Sequence, residues 1–393
     1  MKIAGIIAEY DPFHNGHAHQ IQVLKTMGYE KVVVAMGTAC AQRGGFYLLD
    51  EQARAKAALA AGADLIISLP PPASGTGAEA FGAAGVALLS AAGCDTLAFG
   101  AETPDAQRLT ETAALLDRPD LQEKLKQELA AGVTYAAARQ KAAQALWPGC
   151  GELLSSPNNI LGVEYCKAIL RQKSPLQPLA LARLGAGHGQ SGAQGGFASG
   201  SFLRRQAAEQ TTVAWQGLVP GDALELYRRE EAAGRFVDRR AESLALLSRL
   251  RGKSLGELAK TRGLSEGLEH RLAACVKKAG SLDELCELLA TRRYPAPRLR
   301  RLCTDAALGW GPELGGLPPY IHVLGAKKSA LHLLKNAALP AATSLADLEK
   351  QSPEAALWAG ATAAALDLRA LCRGTPGAMG EAYTRKPVFS EEN

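Results

Sequence analysis

Apolar runs and helical repeats alternate along the first third of this chain. Ile3 to Ala8, Lys31 to Met36, Asp64 to Leu69 and Asp95 to Gly100 are short, mostly apolar stretches bounded by Gly, Pro or Asp. Such runs read as strands buried on both faces. Between them, Ala18 to Met27, Asp50 to Ala61 and Ala78 to Ala91 have the spacing of helices. The alternation predicts an α/β domain with an open, Rossmann-like parallel sheet and helices on both sides. Ligands of such sheets lie beyond the carboxyl ends of the strands, so chemistry is expected just after each strand.

Thr103 to about Trp147 reads as a helical insertion with no strand signal. A further helix is expected over Asn158 to Leu170, a strand over Leu179 to Leu184 and a Gly-rich loop over Gly185 to Gly200. Past Gly221 the pattern is almost wholly helical, and Ser344 to Asn393 reads as one or two small helices with a frayed tail. The expected division is a catalytic domain over 1–220 and a mainly helical, basic domain over 221–393. There is no internal repeat.

Composition narrows the class. The chain has 393 residues, 47% of them apolar and 21% charged, the balance of a soluble globular protein. No apolar run approaches the roughly 18 residues of a membrane span. The N-terminus passes quickly to Glu9 and Asp11, unlike a secretion signal, so a cytoplasmic protein with no membrane partner is expected. Eight cysteines without a Cys-x-x-Cys pair predict reduced thiols rather than a disulfide framework or a zinc site. From Arg228 to Arg301 there are 18 Lys and Arg against 10 Asp and Glu, while the rest of the chain holds 26 against 29. That asymmetry suggests a polyanion partner for the second half, with solvated helix faces as the alternative.

The strongest local signal is Glu9-Tyr10-Asp11-Pro12-Phe13-His14-Asn15-Gly16-His17, placed where the first strand ends and a helix begins. Two imidazoles three residues apart share one side of a helix start, where free N–H groups already favour phosphate. Gly16 lets backbone come close to a nucleotide. The histidines can then donate hydrogen bonds to charge developing on the α-phosphate during attack. The same residues could instead be structural or, with His19, bind a metal.

With these motifs in place, the chain resembles the His-x-Gly-His nucleotidyltransferase superfamily and, within it, the tRNA(Met) cytidine acetate ligases. Gln42-Arg43-Gly44, Asp50 and Arg54 resemble that family's Gln-Arg-Gly segment and following helix. Leu69-Pro70, Ala78-Glu79 with Phe81, and Phe99-Gly100-Ala101-Glu102 follow in order. So do Ser156-Pro157-Asn158-Asn159-Ile160-Leu161-Gly162-Val163-Glu164-Tyr165, Arg183 with Gly185-Ala186-Gly187, and Ser199-Gly200-Ser201-Phe202-Leu203-Arg204. Thr291 to Arg301 and Pro319 to Gly325 extend the likeness into the helical half. Two departures stand out: Gly37-Thr38-Ala39-Cys40 replaces Ser-Gly-Asn-Phe, and Tyr10-Asp11-Pro12 replaces Tyr-Asn-Pro. They leave the choice of acid substrate open.

The resemblance implies an ATP-dependent ligase that activates acetate as acetyl-adenylate and acetylates N4 of the wobble cytidine of elongator tRNA(Met). ATP is the implied substrate, accompanied by Mg2+, with no metal held by protein residues. The implied ATP site is Ile7, Ala8, Glu9, Tyr10, Asp11, Pro12, Phe13, His14, Asn15, Gly16, His17, Ala18, His19 and Gln20, with His14 and His17 catalytic. Gly100, Asn158, Asn159, Arg183, Ser199, Ser201 and Arg204 complete it, Asn158 being favoured over Asn159 by its spacing to Arg183. The stretch from Arg292 to Arg301 holds five arginines and no acid. Arg292, Arg293, Arg298, Arg300 and Arg301, with Lys277 and Lys278, are the expected tRNA contacts, and Arg271 extends them. A small-molecule adenylyltransferase and a non-catalytic RNA-binding protein on the same fold are the competing readings.

Overall fold

The computed structural model describes residues 1–184, 192–264, 267–291 and 294–390. Five strands, β1 (Ile3–Ala8), β2 (Lys31–Gly37), β3 (Leu65–Leu69), β4 (Thr96–Ala101) and β5 (Gln177–Ala182), lie parallel in the order β5-β4-β1-β2-β3. Along β1, Ile3 and Ile7 join one core with Val33, Ala35 and Ile67, while Ala4 and Ile6 join the other with Val32, Val34 and Ile66. Both faces are therefore dry, which is why these strands read as continuous apolar runs. Helices Ala78–Ala91 and Pro157–Gln172 cover the first face; α1 (Asn15–Thr26) and α2 (Glu51–Ala60) cover the second. Because β1 is flanked by β2 on one side and β4 on the other, a crevice opens beyond their carboxyl ends. The insertion after β4 forms three helices, Ala106–Leu116, Pro119–Ala130 and Tyr135–Leu146.

The second half corrects one expectation: it is not almost wholly helical. β6 (Ile321–Lys327) pairs antiparallel with β3, Leu65 facing Ala326 and Ile67 facing Val323 across a bulge. β7 (Ala341–Ala342) and β8 (Val388–Ser390) pair parallel with β6, making an eight-stranded, mostly parallel sheet. In β6, buried Ile321 and Val323 alternate with half-buried His322 and Leu324. That period of two holds only from Ile321 to Gly325, since Ala326 is buried as well, and it is lost among helical neighbours. The tail is also more ordered than its composition suggests. Pro353–Leu371 is a 19-residue helix around buried Trp358.

That helix ties the chain's end to its beginning. Asp50 caps α2 through Gln52 N–H (2.9 Å) and receives Arg369 (3.4 Å), Arg373 (3.1 Å) and Arg385 (2.8 Å) on its other oxygen. Burial works against the Asp50 carboxylate, but Arg385 and Arg369 hold its pKa below the usual range. Among the described residues no helix is long and apolar enough to cross a membrane. All eight cysteines are free, and only Cys275 is not buried.

Candidate active site

A cavity of about 540 Å³ fills the crevice beyond β1 and β4. Its floor begins where β1 ends. Tyr10 takes a left-handed φ of 50° and buries its ring edge-on against Phe13, with centroids 4.8 Å apart. Asp11 is fully committed: its carboxylate accepts from Leu49 N–H (3.0 Å), Leu48 N–H (3.2 Å) and Arg43 (2.8 Å). Burial opposes the charge, yet Arg43, then Arg204 and Arg54, hold this carboxyl well below its ordinary pKa. Arg54 donates to the carbonyls of Glu9 (2.6 Å) and Gly37 (2.8 Å), and Arg204 donates to the Asp11 carbonyl. The loop after β1 is thus held in place by cations before any ligand arrives.

His14 is the N-cap of α1. Its Nδ1 accepts from Gly16 N–H (3.1 Å), and His17 Nδ1 accepts from His14 N–H (3.3 Å), a reciprocal cap made by two imidazoles. The rings stack 3.6 Å apart. Burial, then the charges of Arg183 and Arg204, pull the His14 pKa down to about 3. Burial, then His14 and Arg183, lower His17 as well. With both Nδ1 atoms accepting, each neutral ring carries its proton on Nε2. The pair therefore offers two N–H donors to the cavity it lines, beside the positive end of α1.

The opposite wall comes from three elements. Arg183, after β5, donates to Asn158 Oδ1 (3.0 Å), whose Nδ2 donates to Glu102 (2.6 Å) after β4. Glu102 also accepts from Asn159 N–H (2.8 Å), capping the Pro157–Gln172 helix where Ser156 makes no cap of its own. Gly100 lies inside β4 rather than in a tight turn; a Cβ there would stand 3.1 Å from Arg183 Cγ. Ser199 caps the Gly200–Gln210 helix through Phe202 N–H (3.2 Å). Burial, then the charge of Arg43, lower the Arg204 pKa to about 10.

Most of the expected nucleotide residues line this one cavity: Ile7 to Pro12, His14, Gly16, His17, His19, Gln20, Gly100, Asn158, Arg183, Ser199, Ser201 and Arg204. Four do not. Phe13 is buried beneath, its N–H donating to Tyr227 OH (3.2 Å). Asn15 bonds the carbonyls of Gly196 and Gly217, both at 2.9 Å, and so ties α1 to the segment after β5. Ala18 packs against the second core. Asn159 turns to Thr103, accepting its N–H at 2.9 Å, because a buried amide at that helix position must find local partners. Of the expected Gly-rich loop, 185–191 lies outside the described residues.

Sequence reasoning missed Gln42 and the apolar walls Phe81, Phe99, Leu161, Tyr165 and Leu181, which meet only through the fold. Gln42 carried a signal, the Gln-Arg-Gly turn. Its N–H donates to Glu9 (2.8 Å), which also accepts from Tyr47 OH (3.0 Å). The departing segment Gly37-Thr38-Ala39-Cys40 is buried beneath that turn and lines none of the cavity. Ala39 takes a left-handed φ of 51° there, a conformation an asparagine adopts more readily. The cavity carboxylates do not fit a resident metal: Asp11 and the Glu9 oxygen described are taken by arginine, tyrosine and backbone donors. Among the described residues no group of three or more His, Cys, Asp or Glu could hold an ion.

The expected RNA contacts among the described residues differ in what engages them. Lys277 and Lys278 are exposed beyond the Leu268–Val276 helix, and Arg271 is spent on the carbonyls of Leu288 (3.0 Å) and Ala290 (3.1 Å). Arg300 pairs with Asp283, a contact its position one turn into the Ala296–Leu308 helix makes natural. Arg298 is exposed, its guanidinium 4.5 Å over the Tyr294 ring. Arg301 reaches the other way, donating to the Gln42 carbonyl at 2.6 Å. Arg292 and Arg293 lie outside the described residues.

A family profile described as HIGH Nucleotidyl Transferase matches residues 1–371. A tRNA(Met) cytidine acetate ligase of Latilactobacillus sakei is 33% identical, covering 99% of this chain and 98% of its own. Its counterpart in Acetivibrio thermocellus is 32% identical over 89% of this chain and 90% of its own. A crystal structure of Thermotoga maritima TmcAL bound with alpha-thio ATP superposes over the whole of both chains with a TM-score of 0.91 at 26% identity. The chain therefore belongs to the HIGH nucleotidyltransferase family, among the tRNA(Met) cytidine acetate ligases.

Proposed function

We propose that this chain is an ATP-dependent tRNA-modifying ligase. An acetate oxygen attacks the α-phosphorus of ATP, the bond to the bridging oxygen breaks, and pyrophosphate leaves with the electron pair. The acetyl-adenylate then gives its acetyl group to N4 of the wobble cytidine of elongator tRNA(Met), releasing AMP and the N4 proton. No covalent bond to the protein is needed, so the chemistry rests on position and on charge.

The observation that carries this reading is the pair of neutral imidazoles at the start of α1, each keeping an Nε2–H donor for the cavity. Neutral donors stabilise a phosphate whose charge grows in the transition state without giving up a proton. Arg183 and Arg204 line the same cavity and supply fixed positive charge for the leaving pyrophosphate. The apolar walls Phe99, Leu161 and Tyr165 suit an adenine ring. Relatives that match nearly end to end and bear the ligase name support this reading over a small-molecule adenylyltransferase.

Mass spectrometry of tRNA(Met) incubated with the protein, ATP and acetate tests it, with pyrophosphate release read in parallel. The expected result is one acetyl group on the wobble cytidine. Loss of one such donor should lower the rate about 100-fold or more in His17→Ala, with tRNA affinity retained. An unmodified tRNA together with no pyrophosphate release would overturn the proposal.

A further inference from the structure

Behind the Gln42 turn lies a second cavity, of about 300 Å³, at the small end of ligand pockets. It is bordered by the Ala296–Leu308 helix, the loop at Arg262 and Gly263, and the chain from Pro72 to Ala80. Among the described residues its charged lining is three arginines and one acid. The acid is neutralised: Asp305 is held in a two-pronged pair by Arg262, at 2.8 and 3.0 Å. Arg262 turns its Nη1 to the carbonyls of Pro72 (2.6 Å) and Leu314 (2.9 Å), so it forms wall rather than ligand.

Arg298 and Arg301 are left with donors to spare. Arg298 is exposed, lies over the Tyr294 ring and has no hydrogen-bond acceptor among the described residues. Arg301 uses Nη1 on the Gln42 carbonyl, while its Nη2 stands 3.6 Å from where a Cβ on Gly77 would be. Gly77 begins the Ala78–Ala91 helix, whose first turn has no side-chain cap. Two guanidinium groups with donors to spare thus meet in a cavity whose one carboxylate among the described residues is already paired, one of them standing on an aromatic ring. That combination suits a phosphodiester with an unstacked base beside it.

The two cavities share a partition. Gln42 lines the nucleotide cavity, its N–H is held by Glu9, and its carbonyl is held by Arg301. We propose that the Arg298–Arg301 cavity binds a backbone phosphate of the RNA substrate, one peptide unit behind the ATP cavity, and so anchors the strand whose base is acetylated. The proposal rests on the ligase reading for the identity of the RNA.

Ala80 offers a test that favours folding. It lines the cavity, is exposed and occupies the third position of its helix, where an acidic side chain stabilises the helix. Ala80→Glu places a competing carboxylate beside the arginines. tRNA binding is titrated at several salt concentrations for the unaltered protein, Ala80→Glu and Arg298→Ala, with melting temperature reporting the fold. Each variant is expected to bind tRNA about 5- to 10-fold more weakly, with a log–log salt slope shallower by about one in Arg298→Ala. Equal loss of affinity on adding inorganic phosphate at matched ionic strength would support a phosphate ligand. Folded variants with unchanged affinity and slope would overturn the proposal. Pyrophosphate release without tRNA separates this from the ligase reading, since it can fail in the unaltered protein while the binding series still stands.

Discussion

His14 and His17 do two tasks with two nitrogens: Nδ1 of each closes the start of α1, and Nε2 of each is left for the ligand. Keeping them neutral has a consequence for stability. Burial, with Arg183 and Arg204, lowers the folded pKa of His14 to about 3, whereas an unfolded histidine titrates near ~6.5. Stability from this source is complete above about pH 6.5 and is lost as pH falls toward 3, because the unfolded chain takes up protons the folded one refuses. His322, lowered to about 4 by burial, acts in the same window, while the paired Asp11 and Asp50 act only below the carboxylate range. The melting temperature should therefore fall between pH 7.5 and 4.5, and less steeply in His14→Asn, whose amide still caps the helix. Identical slopes for the two proteins would contradict this account.

Among the elements, the turn from Gln42 to Phe46 joins the two halves. Arg301 holds the Gln42 carbonyl, Thr304 accepts from Gly45 N–H (3.1 Å), and Arg239 donates to the Phe46 carbonyl (3.2 Å). Gly44 makes this possible. Its φ is +86°, and a Cβ would stand 2.7 Å from the Arg301 backbone nitrogen. Gly44→Ala should cost about 1–3 kcal/mol from the backbone conformation alone. Denaturant unfolding would show the loss, and tRNA affinity should drop with it as Arg301 is pushed away. The sequence shows that something turns at Gln42-Arg43-Gly44, but not what it turns against. Strands β1 to β4 were legible because both faces are buried; β6 was not, because half of its side chains are only partly covered. The histidine loop was legible as one contiguous motif. The apolar walls of the cavity come from Phe81, Phe99, Tyr165 and Leu181, which are brought together only by packing. For the RNA contacts, a run of arginines gave the charge but not the directions: Arg300 pairs with Asp283, while Arg298 and Arg301 share the second cavity.

For the molecule as a whole, the sheet is finished by residues far from where it starts. The outer side of β3, Leu65–Leu69, is covered by β6, and β8 lies beyond that. A fragment of residues 1–220 would keep every residue that lines the ATP cavity and lose the Arg301 brace on Gln42 and the Tyr227 hydroxyl beneath it at Phe13. It would also leave the apolar segment Leu-Ile-Ile-Ser-Leu with a bare edge, a template for pairing with other chains. Light scattering should find that fragment self-associating at concentrations where the full chain does not; a monodisperse fragment would argue that β3 needs no cover. During synthesis the same edge waits while roughly 250 further residues leave the ribosome, at ~5–20 residues per second, before Ile321–Lys327 can reach it. For those seconds the nascent chain carries a sticky flank, and the interval in which it most needs shelter is fixed by the distance in the gene between two neighbouring strands.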